Sequence, residues 1–410
     1  MNILIVSQYF WPEEFRVNDL AFSLSRRGHK VTVLTGIPNY PQGIYFSEYG
    51  LLGPYHQEYK DVSIVRVPLL PRGAGKKLNL ILNYASFAVM GSCLAPVKIR
   101  GKFDVILAIQ FSPATAVIPA VFLKKTKRIP LILWVQDLWP DSLSATDAIR
   151  SPKVLNIVRK MMRWIYKNCD QILVQSKGFH TLIESEGFNA ERIRYLPNWA
   201  EDSYKGTLEG PSIKTQLPTG FRVMFAGNIG AAQDFGTILR AAERLKDFTD
   251  IKWLIVGDGR MRNWVKEQVQ SRGLNDNIHL LGRHPVESMP YFFSSADVML
   301  VSLKREPIFS LTVPSKIQSY MASGRPIIAL LDGEGARVVK ESGSGLICPP
   351  EDAAALAGAV LQMYNISQSE REAMGSRGRA YFDTHFDRQL LLDRLEGWMQ
   401  EATGNQVSGL

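Results

Sequence analysis

The sequence predicts an α/β protein made of two doubly wound parallel-sheet domains, and three observations carry that expectation. Apolar runs of strand length alternate with segments of helical period through both halves of the chain. The alternation breaks over the polar, Gly- and Pro-containing stretch between Pro197 and Phe221, the expected interdomain linker, and then restarts. A chain of 410 residues is also too long for one ordinary core.

In the first half, NILIV at 2–6 precedes Val17, Leu20, Ala21 and Leu24 at helical spacing, Gly28 supplies a stop, and KVTVLT at 30–35 is the next strand. DVILAI from 104, LILWVQ from 131, QILVQ from 171 and RYLP from 194 continue the series. A helix through Val154, Leu155, Val158, Met161, Met162 and Ile165 lies among them. The second half repeats the pattern with FRVMFAG from 221, IKWLIVGDG from 251, IHLLG from 278, DVMLVS from 297, PIIALL from 326 and GLICPP from 345. Its first helix carries Ile238, Leu239, Ala242 and Leu245. Strand, helix, strand in repetition calls for parallel sheets with helices on both faces. Leu391, Leu395 and Trp398 place an apolar stripe on a last helix, about 384–402, expected to pack back on the first domain. The expected domains are 1–200 and 201–383, facing a cleft at the carboxyl ends of both sheets, where open α/β folds bind ligands.

Hydrophobic residues at 46% and charged residues at 21% are those of a folded globular chain. A formal charge of +9 allows a nucleotide, a nucleic acid or an acidic membrane face as partner and does not choose among them. Cys93, Cys169 and Cys348 are few and widely spaced, which fits a reducing cytoplasm and neither a disulfide framework nor a zinc site. The start MNILIVSQYFWP reads as a first strand, not as a signal peptide. From Leu78 to Val97 the chain is largely apolar, with Lys76 and Lys77 before it and Lys98, Arg100 and Lys102 after. Asn79, Asn83, Ser86 and Ser92 make it a poor spanning helix. The basic-flanked segment 76–102 suits a helix lying at an anionic interface, or else a buried helix with solvated ends.

The stretch VPSKIQSYMASGRPIIAL at 313–330 is the most informative. Ile317, Tyr320 and Met321 recur at i, i+3 and i+4, and Ser315 precedes Gln318 in a capping-box pattern, so a helix should begin near Ser315. Gly324 and Pro326 end it. The unfilled N–H groups at its start, with Lys316 beside them, make a site for a phosphate or carboxylate; the alternative is an ordinary cap with a solvated lysine. Glycines and cations also end the neighbouring strands: Gly227 with Asn228, Gly257 with Gly259, Gly282 with Arg283, and Lys304 with Arg305. Together with the helix start they could neutralise a diphosphate without a metal. In the first half, YFWPEEFRVNDL places Glu13, Glu14, Arg16 and Asn18 in the loop after the first strand, and WVQDLWPDSL places Gln136, Asp137, Trp139 and Asp141 at a strand's end. A carboxylate there can orient or deprotonate a hydroxyl, and a Trp can stack on a sugar or simply pack. A complete Gly-x-Gly-x-x-Gly, a P-loop, a Gly-x-Ser-x-Gly elbow, a His-Glu-x-x-His and an Asp-x-Asp are all missing, which removes support for dinucleotide, P-loop, serine-hydrolase and zinc-protease chemistry.

These residues resemble the GT-B-fold glycosyltransferases of family 4. The match rests on YFWPEEFRVNDLAFSLSRRGHKVTVLT, QILVQSKGFH, LPNW, FAGNIGAAQDFGTILRAAERL, LIVGDG and PSKIQSYMASGRPIIA, and spans nearly the whole chain. YFWPE, WVQDLWPDSL and VPSK look more narrowly like the fucosamine-transferase-like enzymes of bacterial O-antigen, capsule and exopolysaccharide synthesis. The resemblance implies a GT-B fold and transfer of a sugar from a UDP-sugar, for example an N-acetylated deoxyhexosamine such as N-acetyl-L-fucosamine. Configuration would be retained, with no metal or other cofactor. The acceptor would be a lipid-linked saccharide or oligosaccharide, met at the inner face of the cytoplasmic membrane, with no nucleic acid as partner. By resemblance, backbone amides at Ser315 and Lys316 hold the donor diphosphate, Gly227 and Asn228 border it, and the loop at Gly282 and Arg283 lies by the base. Donor-side candidates are Gly227, Asn228, Gly257, Gly259, Arg283, Arg305, Ser315 and Ser319. Catalytic candidates are Asp137 and Lys316, and acceptor-side candidates are Glu14, Arg16, Asn18 and Trp139.

The chain departs from the family pattern in places. The two glutamates of the family's Glu-x7-Glu motif fall on Leu311 and Ser319, with Glu306 as a substitute nearby. The usual basic pair after the first strand of the second domain becomes Asn228 and Gln233, which leaves Lys316, Arg283 or Arg305 to supply charge. A common His is Gln136 here, leaving Asp137 as its neighbour. Two rival readings stand beside the transferase: a nucleotide-sugar epimerase of the same two-domain architecture, and a membrane-attached module that binds UDP without turnover.

Overall fold

A computed structural model describes residues 1–145, 149, 151–200 and 217–404. The chain divides into two compact units. Met1–Gln175, Phe179–Leu196 and the segment from Leu392 onward form the first, and Ser176–Gly178 with Pro197–Leu391 form the second. Most of the expected linker, residues 201–216, lies outside the described residues.

The first unit is built on β1 (Asn2–Val6), β2 (Lys30–Gly36), β3 (His56–Tyr59), β4 (Val62–Val67), β5 (Val105–Gln110), β6 (Leu131–Val135), β7 (Gln171–Val174) and β8 (Ile193–Tyr195). Their order is β3-β4-β2-β1-β5-β6-β7-β8, parallel except for β3. β5 and β6 are buried along their whole length, which is why their sequences are continuous apolar runs instead of alternating ones. The strand order reverses at β1, between β2 and β5. The hairpin β3–β4 was not expected from the sequence. Its turn uses Lys60 and Asp61, both at left-handed φ of 50° and 60°, and so lacks the Asn-Gly signal that usually marks such a turn.

The segment after β4 forms one helix, Lys77–Lys98. By length and composition this helix could cross a membrane, yet one side of it belongs to the fold. Asn83, Phe87, Ala88, Gly91 and Ala95 face inward. A Cβ on Gly91 would lie 2.6 Å from Pro119 Cγ, so glycine permits the close approach of the helix Ile118–Lys127.

The last helix, Arg388–Ala402, begins a few residues later than expected. Leu391, Leu392, Leu395 and Met399 are its buried stripe. Within the first unit, Arg27 Nε donates to Glu396 Oε1 at 2.7 Å, His29 Nε2 lies 2.9 Å from the same oxygen, and Arg27 also meets Asp393. Burial opposes the charge of Glu396, but the hydrogen bonds from Arg27 and His29 outweigh it and hold the carboxyl below its ordinary value.

The second unit is built on β9 (Phe221–Ala226), β10 (Ile251–Val256), β11 (Ile278–Gly282), β12 (Val298–Ser302), β13 (Ile327–Leu330) and β14 (Gly345–Cys348). All are parallel, in the order β11-β10-β9-β12-β13-β14, so the order reverses at β9. Alternate residues of β9 feed opposite cores. Val223 and Phe225 join Ile238, Trp253 and Leu356 on one face, while Met224 and Ala226 join Ile317, Tyr320 and Met321 on the other.

Replacing Glu396 with Ala is expected to lower stability by about 1 kcal/mol, the upper range for a partly exposed ion pair. Faster proteolytic removal of the last helix is the readout.

Candidate active site

Ligands of open α/β sheets bind beyond the carboxyl ends of the strands, where the strand order reverses. In the second unit that place is the end of β9, and the helix Ser315–Ala322 starts beside it. Pro314 occupies the N-cap and no side chain caps this end. The expected capping box does not form, because Gln318 is fully buried and its amide turns back on its own turn. In the orientation that satisfies the group, its nitrogen donates to Pro314 O at 3.0 Å and Ser315 O at 3.1 Å. Ile317 N donates to Pro314 O at 2.9 Å, which leaves the Ser315 and Lys316 N–H groups open at the positive end of the helix dipole.

Tyr320 fixes where that end points. Its hydroxyl accepts from Ala226 N at 3.1 Å and donates to Ala226 O at 3.2 Å, pinning the helix to the last residue of β9. Lys316 then crosses the chain as it leaves β9. A Cβ on Gly227 would come within 2.5 Å of Lys316 Cε and 3.0 Å of Nζ, and Gly227 has φ +134°, so this position needs glycine twice over. The Lys316 ammonium sits 3.8 Å from the centroid of the Phe225 ring. No carboxylate pairs with it among the described residues. Part of the residue remains at the surface, but the ammonium itself is enclosed, and that desolvation lowers its pKa from the ordinary 10.5 to about 7.

The turns after β9, β10 and β11 stack backbone on backbone. Gly227 N donates to Val256 O at 2.8 Å and Gly257 N to Gly282 O at 2.7 Å. A Cβ on Gly257, whose φ is +135°, would fall 1.9 Å from Gly227 O, and one on Gly259 would fall 2.4 Å from Ile229 O. Asn228 and Arg283 are exposed beside this row. Gln233 is occupied by its own loop, its Oε1 accepting from Gly230 N at 3.1 Å.

Two other donor-side candidates are placed differently. Arg305 donates from Nη2 to Pro350 O at 3.2 Å and from its backbone N to Glu351 Oε1 at 3.2 Å, and it lines a pocket with Arg240 and Arg244. That ties it to the segment after β14 and not to Lys316. Ser315 is exposed at the helix start, while the Ser319 hydroxyl donates to Ser315 O at 3.3 Å. Glu306 is the N-cap of the short helix Pro307–Ser310.

In the first unit, four neighbouring strands are each followed or ended by a glutamine: Gln8 after β1, Gln110 at the end of β5, Gln136 after β6 and Gln175 after β7. Each keeps one buried amide atom without a protein partner among the described residues. Asp137 stands in this row. Gln110 Nε2 donates to its backbone O at 2.8 Å, and Trp139 Nε1 donates to its Oδ2 at 3.2 Å. Burial raises the Asp137 pKa in spite of the hydrogen bonds from Ser142, Trp139 and Leu138 N–H. Trp139 is only 9% exposed, so it holds Asp137 and packs, and is not an open stacking face.

Of the residues expected in the loop after β1, Arg16 and Asn18 belong instead to the first turns of the helix Arg16–Arg26. Both amide atoms of Asn18 serve that junction: Oδ1 accepts from Trp11 N at 3.1 Å and Nδ2 donates to Glu13 O at 2.7 Å. Glu14 is exposed, and Glu13 is the buried carboxylate of the pair. Burial raises Glu13 to about 7, although the N–H groups of Asn39, Tyr40 and Phe10 bind it. Beside it lies a cluster that the sequence did not single out. Phe15 stacks on Tyr9 at 4.7 Å and meets Tyr40 and Phe111, and the Arg72 guanidinium lies 4.9 Å over Tyr40 and donates to Tyr9 Oη at 3.2 Å.

Residues 14–199 match the Glycosyl transferase 4-like domain, and residues 220–365 match the Glycosyl transferases group 1 family. The chain belongs to the family 4 glycosyltransferases. It is 25% identical to WbjE of Pseudomonas aeruginosa, named as a probable glycosyltransferase, over 77% of this chain and 80% of that one. It is likewise 25% identical to WcaI of Escherichia coli K12, named as a colanic acid biosynthesis glycosyl transferase, over 79% of this chain and 82% of that one. Among solved structures, HepE of Anabaena in complex with UDP has a TM-score of 0.70 at 15% identity, covering 98% of this chain and 100% of that one. These likenesses fix the fold as GT-B, as the sequence led one to expect. Nothing in them supports an epimerase.

In this glycosyltransferase, sequence reasoning missed Tyr320 and Phe225, which position Lys316. Both read as core residues, and only the register of the helix against β9 gives them a second task. Two outcomes follow. Tyr320→Phe leaves Ala226 N–H and C=O without their partner and is expected to cost about 1–3 kcal/mol in urea unfolding. Because folded Lys316 holds fewer protons than unfolded Lys316 between pH 7 and 10.5, its contribution to stability rises with pH across that window. Lys316→Met should therefore raise the melting temperature of the free protein at pH 7, with the advantage shrinking toward pH 10.

Proposed function

We propose that this glycosyltransferase moves a sugar from a UDP-sugar to a lipid-linked saccharide during assembly of a bacterial surface polysaccharide, with retention of configuration and without a metal ion. The observation that carries this is the unpaired Lys316 ammonium beside an uncapped helix start at the β9 switch point. As the glycosidic C–O bond breaks, negative charge grows on the leaving diphosphate. Prepositioned amides and a desolvated cation oppose that charge without having to reorganise. The solved HepE complex with UDP and the likeness to WcaI support the donor class and the pathway type.

On the acceptor side, Asp137 is the group suited to take or orient a hydroxyl proton, since a raised carboxyl pKa brings a base nearer to neutral pH. The glutamine row and the Arg72 and Tyr40 face offer neutral hydrogen bonds and an aromatic surface for a saccharide. Leu311 and Ser319 carry no charge to a donor sugar, so hydroxyl recognition falls to uncharged groups, and N-acetyl-L-fucosamine is a reasonable first sugar to try. We place the enzyme on the cytoplasmic face of the membrane, held there by segment 76–102, because the outward side of the helix Lys77–Lys98 is apolar.

A panel of UDP-sugars incubated with lipid-linked saccharide tests the assignment by UDP release and product mass. Lys316→Ala is expected to slow transfer at least about 100-fold, the ~3 kcal/mol of one lost oxyanion-type contact; a wild-type rate would remove Lys316 from the chemistry. Asp137→Asn should lower kcat with little change in UDP affinity. Epimerised donor formed without acceptor, or UDP binding with no turnover of any donor, would each replace the transferase reading.

A further inference from the structure

We propose that a cavity at the carboxyl-terminal end of the helix Lys77–Lys98 holds the phosphate head group of an anionic phospholipid, with the acyl region of the same leaflet against the helix's outward face. This rests on the membrane placement proposed above and adds a defined lipid site to it.

The helix is inside out for a water-facing element. Its polar Asn83 is fully buried, while Leu78, Ile81, Val89 and Val97 are exposed by 65%, 62%, 57% and 72%. A surface helix in water shows the reverse pattern. Leu51 and Leu52 extend the apolar surface, and their loop is fastened at both ends of the helix. Gly73 N donates to Gly43 O at 2.8 Å just before it, and Lys98 Nζ lies 4.3 Å over the Tyr55 ring, whose hydroxyl donates to Leu51 O. Among the described residues, ten of the eighteen large exposed hydrophobic ones lie between Tyr40 and Val97, so the apolar surface is concentrated and not scattered.

Charge selects the occupant. Between Asp61 and Asp104 the chain carries no acidic residue, while Lys76, Lys77, Lys98, Arg100 and Lys102 flank the helix. An apolar strip about 33 Å long with cations at both ends matches a bilayer whose acyl region lies under the strip and whose anionic head groups lie at its ends.

The cavity, about 540 Å³, opens at the basic carboxyl-terminal end. Lys98 and Arg100 enter it from the helix end, His56 from β3, and the hydroxyls of Thr32 and Ser63 from paired positions on β2 and β4. Among the described residues no carboxylate lines it, and Val97 joins it to the apolar strip. Cations with hydroxyl donors around a phosphate, continuous with an apolar track, are the parts a phospholipid needs. Thr32 and Ser63 stand near the amino ends of their strands, whereas substrates of such sheets bind at the carboxyl ends. The lipid site is therefore separate from the acceptor site.

Co-flotation with vesicles of phosphatidylcholine, with and without 30% phosphatidylglycerol, tests this, with UDP binding as the check on folding. Wild type is expected to float with the anionic vesicles only. Lys98→Ala with Arg100→Ala should weaken binding roughly 30-fold, from about a five- to sixfold factor per cation at an anionic surface. Ser63→Trp fills the cavity without changing charge and should weaken it several-fold, while free inorganic phosphate at millimolar concentration should not compete. If Ser63→Trp binds as wild type while Val89→Glu abolishes binding, the membrane placement stands and the lipid site falls. If Val89→Glu also binds as wild type, both fall, and competition by inorganic phosphate would assign the cavity to a soluble anion instead.

Discussion

An ammonium taken out of water without a carboxylate beside it is unfavourable, and folding tolerates it only where the surrounding packing leaves no alternative. Lys316 is such a group. Its stem lies across Gly227, its charge rests over Phe225, and the nearest polar groups at the helix start are themselves donors. Among the described residues no carboxylate pairs with Lys316, and beside the open helix start its ammonium is complementary to a diphosphate.

The parallel topology makes this possible. Because β9 is the strand at which the order reverses, its two neighbours diverge beyond their ends and leave room for a helix start. The stacked turns at Gly227 and Gly257 let backbone approach backbone where any side chain would intrude. Tyr320 converts that space into a fixed geometry by bonding both polar groups of Ala226. The first unit uses the same topology differently. Its strand ends carry glutamines, Asp137 and an aromatic cluster under Arg72, so it offers neutral hydrogen bonding where the second unit offers charge.

Much of the fold was legible because burial on both faces writes continuous apolar runs. Such runs marked β1, β2, β5, β6, β7, β9, β10, β12 and β13, while the less buried β8, β11 and β14 were expected from shorter or mixed stretches. β3 escaped because the polar edge strand HQEY has no such run and its turn lacks a glycine, and β4 because Ser63 and Arg66 interrupt the run VSIVRV. Within the site, the helix start at Ser315 could be read from periodicity, but its open N-terminus could not. Gln318 abandons capping only because tertiary packing buries it. Arg305 and Lys316 both follow strand ends in sequence and look alike there. Only the fold separates them, tying Arg305 to Pro350 and Glu351. Asn18 and Trp139 looked like substrate contacts for the same reason, and local hydrogen bonds claim them instead.

The account depends on burial stripping Lys316 of part of its charge in the free enzyme, which a bound diphosphate restores. Calorimetry of UDP binding at pH 8, repeated in buffers of different ionisation enthalpy, measures the protons exchanged on binding. The expected result is uptake approaching one proton per UDP, abolished in the Lys316→Met variant. Binding with no proton uptake, or uptake that persists without Lys316, would contradict it.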